Sequence, residues 1–160
     1  MKKLLSLLFL ANLLFAKSEM LEIDSLDFKG DDKKGTATFT GNVKIKMGQD
    51  RLNANKVDVF FENDKDGNKT PLKYEAIGNA DFIIVTEDKH YEGSGDKVIY
   101  NPRKEEYTII GNGYIFEKKD NRKVYGDTIY VNQLTGESKV KGDENKPVKF
   151  LINVERGEKK

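Results

Sequence analysis

Thr40-Gly41-Asn42-Val43-Lys44-Ile45 sets the reading of the chain, because the phrase recurs. It returns as Ile77-Gly78-Asn79-Ala80-Asp81-Phe82 and as Ile110-Gly111-Asn112-Gly113-Tyr114-Ile115, with a weaker copy at Val140-Lys141-Gly142-Asp143. A second phrase alternates with it: Ile23-Asp24-Ser25-Leu26-Asp27-Phe28, Ala54-Asn55-Lys56-Val57-Asp58-Val59, Gly95-Asp96-Lys97-Val98-Ile99-Tyr100 and Gly126-Asp127-Thr128-Ile129-Tyr130-Val131. Asp24 and Asn55 stand 31 residues apart, Asn55 and Asp96 41, Asp96 and Asp127 31. Self-similarity at a spacing of roughly 20–50 residues marks stacked architectures. These build long surfaces rather than a single catalytic pocket.

Around each phrase the apolar residues alternate. Phe39, Gly41, Val43, Ile45 and Met47 share one parity; Thr38, Thr40, Asn42, Lys44 and Lys46 hold the other. Period 2 predicts a strand buried on one face. Val57, Val59 and Phe61 continue the pattern, and Phe60 breaks it, which predicts a bulge or a second packing face there. Tyr74, Ala76, Gly78, Ala80, Phe82 and Ile84 again share a parity. Aligned on the glycines, Ala80 takes the place of Val43 and Phe82 that of Ile45. Ile109 and Ile115 hold the same aligned parity, while Ile110, Tyr114 and Phe116 crowd the other face. Val148, Phe150, Ile152 and Val154 read as a last alternating strand. Turns are expected at 31–35, 63–68, 92–95, 101–104 and 118–121, from their Gly, Asn, Asp and Pro content. No window shows sustained helical periodicity. A small residue inside a strand marks a corner or bulge. Repeated at the same point in every layer, it predicts an all-β sheet bent into a V or a flattened roll with one inner face.

That face supplies the candidate site. Its first residues are Phe39, Val43, Ile45, Val57 and Val59, and its middle ones Phe82, Ile84 and Ile115. The corner phrases add Val98, Tyr100, Ile129 and Val131. Periodicity alone fits a closed hydrophobic core or a groove open to a long apolar ligand, and both remain open at this point.

The ends and the composition bound the rest. Met1-Lys2-Lys3, an apolar run from Leu4 to Phe15, and Ala16 have the order of a signal peptide. The run is too short to span a bilayer, which takes ~20 residues. The expected division is a signal peptide over 1–16, a β domain over 17–154 and a charged tail over 155–160. The chain has 28 basic residues, two of them in the leader, and 27 acidic ones. That balance gives no reason to expect nucleic acid as a partner. There is no cysteine, so disulfides and cysteine metal sites are excluded.

No motif predicts catalysis. Asp64-Lys65-Asp66-Gly67-Asn68 lacks the glycine at position 6 of a Ca²⁺ loop and reads as a polar turn. His90 is the only histidine, too few for the common zinc sites, and reads as a strand-end surface residue. Gly93-Ser94-Gly95 lacks the lysine of a phosphate loop. Asp24, Asn55, Asp96 and Asp127 recur with the repeat, which points to a corner role. No catalytic residue, metal or cofactor is expected.

The leader, the Ile-x-Ser-Leu-Asp strand, Thr-Gly-Asn-Val-Lys-Ile and the further Gly-Asn copies resemble the LptA/OstA-like family of lipopolysaccharide-transport proteins. The resemblance runs from about Glu22 to Gly142 and is strongest over Phe39–Ile45 and Leu52–Val59. It implies an all-β, folded-over antiparallel β-jellyroll with an open hydrophobic groove that holds the acyl chains of lipid A. It implies a periplasmic bridge between inner and outer membranes, head-to-tail self-association, and partners resembling LptC and LptD. Asn55 stands where the family usually has Asp, and Gly113 where it has a branched residue. Two alternatives stay open: another component of the same machinery, resembling LptC or the N-terminal domain of LptD, and a β-repeat hydrolase or structural protein of the cell envelope.

Overall fold

The computed structural model describes residues 20–157; the expected signal peptide over 1–16 and the last three residues of the expected tail lie outside them. Ten strands form one antiparallel sheet: β1 (Leu21–Asp24), β2 (Asp27–Asp31), β3 (Thr36–Met47), β4 (Asp50–Asn63), β5 (Lys69–Val85), β6 (His90–Asn101), β7 (Glu106–Glu117), β8 (Arg122–Asn132), β9 (Ser138–Lys141) and β10 (Lys149–Leu151). The strands from β3 to β8 follow one another as a meander. At one margin β1 and β2 share the flank of β3; at the other, β9 and β10 share the flank of β8. The margins do not pair with each other, so the sheet is open.

The Gly-Asn phrases are the corners. Gly41, Gly78 and Gly111 have φ of 88°, 83° and 79°, and the asparagines after them have φ of 43°, 47° and 50°. Two consecutive left-handed residues are cheapest as Gly followed by Asn, the two residue types that visit this region most readily. Each pair inserts one extra residue. Thr40 pairs Lys56 while Val43 pairs Ala54, so three steps on β3 face two on β4. The same shift recurs between Ile77 and Ala80 and between Ile110 and Gly113. Bulges aligned across a sheet bend every strand at one level. The partner strand fills the space above each glycine: Leu26 lies over Gly41, Asn55 over Gly78 and Asp96 over Gly111.

The bend creates the core. Val43 is 1% exposed and Ile109 and Ile129 are 2% exposed, yet the described residues contain neither a helix nor a second sheet. Only the other half of the same sheet can cover them. Burial raises the pKa of the Tyr107 hydroxyl, and Tyr100 and Glu105 add to the rise.

Three expectations are corrected. Residues 92–95 are not a turn but part of β6. Gly93 is glycine because the Phe82 ring lies over it, with Cε2 2.9 Å from where a Cβ would stand, and Gly95 because Ile109 occupies the same kind of space. The last strand is Lys149–Leu151 rather than 148–154. Leu151 pairs Lys123, and β8 begins at Arg122, so the partner runs out. The first strand is broken at Ser25-Leu26 into β1 and β2, where the layer turns its corner. The other turns stand as expected, and the register slips at Phe60/Phe61 as the pattern break predicts.

Candidate functional site

Register places the inner side chains in rows that run across the strands. One half of the sheet carries Ile23, Ile45, Leu52, Phe82, Gly93, Ile115, Val124 and Phe150 as successive cross-strand partners. The other half carries Phe28, Phe39, Val57, Ala76, Val98, Ile109, Ile129 and Val140 in the same way. Between them, at the corner, lie the small pairs Val43–Ala54, Ala80–Gly95 and Gly113–Gly126. Small residues at the corner let the halves approach, while branched and aromatic ones further out fill the widening space. Each such side chain contributes ~1.5–3 kcal/mol when fully buried.

Eleven of the twelve candidate lining residues fall in one apolar cluster. Val43, Ile45, Val57, Val59, Val98 and Ile129 are buried within it; Phe39, Phe82, Tyr100, Ile115 and Val131 pack against it. Ile84 is outside that cluster. It pairs Tyr91 beyond the Phe82 row, near the end of β5, and is half-buried. The candidate list omitted Ala54, Ala76, Ile109, Leu52 and Val124, which belong to the same lining. Ile109 was visible by its aligned parity; Leu52 and Val124 had no such signal.

A third row lies further from the corner: Gly30, Ala37, Val59, Tyr74, Tyr100, Tyr107, Val131 and Ser138. Its tyrosines stack, with ring centroids 5.9 Å apart for Tyr74–Tyr100 and 4.5 Å for Tyr100–Tyr107. Burial pushes all three hydroxyls to higher pKa, so they stay protonated. The outer face is polar and paired: Glu75 lies between Lys73 at 3.0 Å and Lys97 at 3.3 Å, and Thr38 donates to Asp58 at 2.8 Å. Burial works to raise the Glu75 pKa, but hydrogen bonds from the two lysines outweigh it and hold the carboxyl low.

The remaining chemistry-bearing residues are structural. Asp64 closes its turn by accepting from the Asp66 and Asn68 N–H groups at 2.9 and 2.8 Å. His90 opens β6 beside Glu92, 3.3 Å away. Asn55 and Asp96 are the corner residues, and Asp127 lies at the corner of β8 between Gly126 and Thr128. Asp24 instead pairs Lys44, and Leu26 takes the corner place.

Apolar surface reappears at the two margins. Phe28 is 45% exposed and Phe150 53%, with Leu26 on one side and Leu151, Ile152 and Val154 on the other. Both rows run the width of the sheet; the Phe28 row surfaces beside β2 and the Phe150 row beside β10.

An open, folded antiparallel sheet with an apolar interior and two free margins defines a class of fold suited to enclosing a long apolar molecule. The family model described as "LptA/(LptD N-terminal domain) LPS transport protein" matches residues 22–137, and the chain belongs to that family. The structure is similar to that of LptH, the LptA-homologous periplasmic component of the lipopolysaccharide transport device of Pseudomonas aeruginosa. The TM-score is 0.67 at 15% identity, over 85% of this chain and 96% of that one. At that identity the likeness concerns the fold. No curated protein sequence matches.

Proposed function

We propose that the protein is a periplasmic lipopolysaccharide carrier that takes the lipid A acyl chains between the halves of its folded sheet and bridges inner- and outer-membrane components of the transport machinery. The observation that carries this is the pair of apolar rows that cross the whole sheet, one surfacing at Phe28 beside β2 and the other at Phe150 beside β10. An acyl chain in water costs ~0.8 kcal/mol per CH₂. Between the halves it would exchange contacts with the lining for contacts the lining now makes with itself, so opening the fold for it forfeits little. At the margins, β1 and β2 on one side and β9 and β10 on the other offer free N–H and C=O groups. Strand addition there would pair them and join the interior to that of a neighbour. Family membership and the name of the LptH relative support the reading. The partners are then LptC-like and LptD-like proteins and further copies of this chain.

A photo-crosslinking amino acid at Ile45, which is buried inside, should capture lipopolysaccharide in the native host envelope, and one at Lys44, which is exposed outside, should not. Capture only from Lys44 would reverse the assignment of the faces, and capture from neither would reject the carrier. The family model also covers the N-terminal domain of LptD; for that reading the crosslinked chain would remain with the outer membrane rather than in the soluble periplasm.

A further inference from the structure

Among the described residues, Tyr74 is the one member of the apolar cluster with a polar side-chain atom both shut from solvent and without a hydrogen bond. Its residue is 8% exposed, and it belongs to the apolar cluster. Its hydroxyl is shielded from solvent and hydrogen-bonds to nothing among the described residues. The other two atoms in that condition, Thr70 Oγ1 and Asn101 Oδ1, belong to residues outside the cluster. Buried hydroxyls normally find a partner, and one left unpaired costs about 1–3 kcal/mol. Its neighbours do not supply one. Tyr100 stacks on the Tyr74 ring and makes no hydrogen bond to its hydroxyl. Every other residue of the Tyr74 row from Ala37 to Val131, apart from these tyrosines, is apolar.

We infer that Tyr74 is a specificity residue within the lining, whose hydroxyl hydrogen-bonds an oxygen carried on the ligand's acyl chain. This rests on the carrier reading and refines its substrate class: chains bearing a hydroxyl are preferred over plain ones. A phenol both donates and accepts, so it can meet such a hydroxyl in either sense. The bond would form in a water-free setting, with no competing solvent. A plain chain would leave the hydroxyl as orphaned as it is in the free protein. Tyr107 lies one strand further along the row, beyond Tyr100, and takes no part.

The test compares tetradecanoic acid with β-hydroxytetradecanoic acid, by calorimetric titration of the full mature chain. Wild type should bind the hydroxylated chain roughly tenfold more tightly, as one net hydrogen bond to an otherwise unpaired group allows. Tyr74→Phe should lose that preference by weakening only the hydroxylated probe, while Tyr107→Phe keeps it. Tyr74→Phe removes an orphaned polar atom and nothing else, so its thermal midpoint without ligand should equal or exceed that of wild type. Equal affinities in wild type, or a preference that survives Tyr74→Phe, would overturn the role of Tyr74 and leave the carrier standing. Failure of wild type to bind either probe would overturn both.

Discussion

Gly111→Ala isolates the corner that makes the fold. Two terms oppose the added methyl. Gly111 has φ of 79°, and a left-handed non-glycine residue costs about 1–2 kcal/mol. The new Cβ would also stand 2.8 Å from Asp96 Cγ and 2.9 Å from Asp96 Cβ. Turning the Asp96 side chain cannot move its own Cβ, so backbone must shift, and overpacking of this kind costs about 1–3 kcal/mol. The sum is about 3 kcal/mol, against a total stability of about 5–15 kcal/mol for a domain. Gly136 provides the control: its φ is 76°, but a Cβ there meets nothing within 4 Å. Gly136→Ala should therefore lose only the strain, about 1 kcal/mol. Urea denaturation of the mature chain, followed by circular dichroism, measures both. Adding Asp96→Gly to Gly111→Ala should restore part of the loss, whereas Asp96→Ala, which keeps the Cβ, should restore little. Equal losses at 111 and 136 would refute the idea that the partner strand's corner residue fills the glycine's space.

Acid should loosen the turn between β7 and β8. Glu117 is 4% exposed; its burial favours the neutral form, but N–H groups of Asp120, His90 and Lys119 donate to it and the net effect lowers its pKa. A depressed folded value means the stabilisation is complete above the unfolded value near 4.5 and fades as pH falls through the folded one. Glu117→Gln should be less stable at neutral pH and show a flatter stability profile below pH 4.5; an unchanged profile would count against the turn. Ending the chain at Gly142 removes β10 and uncovers half of the β8 flank. Analytical ultracentrifugation should show concentration-dependent assembly of the mature chain and its reduction by this truncation, and a strictly monomeric mature chain would refute the margin's role.

Half of the lining was legible in the sequence and half was not, and the corner explains which half. On β3 the inner residues Phe39 and Val43 lie four positions apart, so alternation survives the Gly-Asn pair. The same holds on β5 from Ala76 to Ala80 and on β7 from Ile109 to Gly113. On β4, inner Ala54 and Val57 are three apart, and the parity flips. Val57 and Val59 extend one register; Leu52 belongs to the other. β6 flips between Gly95 and Val98, and β8 between Gly126 and Ile129, which is why Val124 was missed. The flip is a consequence of the bulge count. The extra residue sits on the odd-numbered strands, and each even-numbered one must cross the corner in one step fewer to stay in register with both neighbours. A parity rule carried through a corner therefore holds on the strands that contain Gly-Asn and fails on those that face it. The misread glycines of β6 have the same origin. A strand between two bulged neighbours receives their bulky residues, Phe82 from one side and Ile109 from the other, and must be small where they land. Glycine there answers to side chains that are distant in sequence, a cause no local turn rule can register.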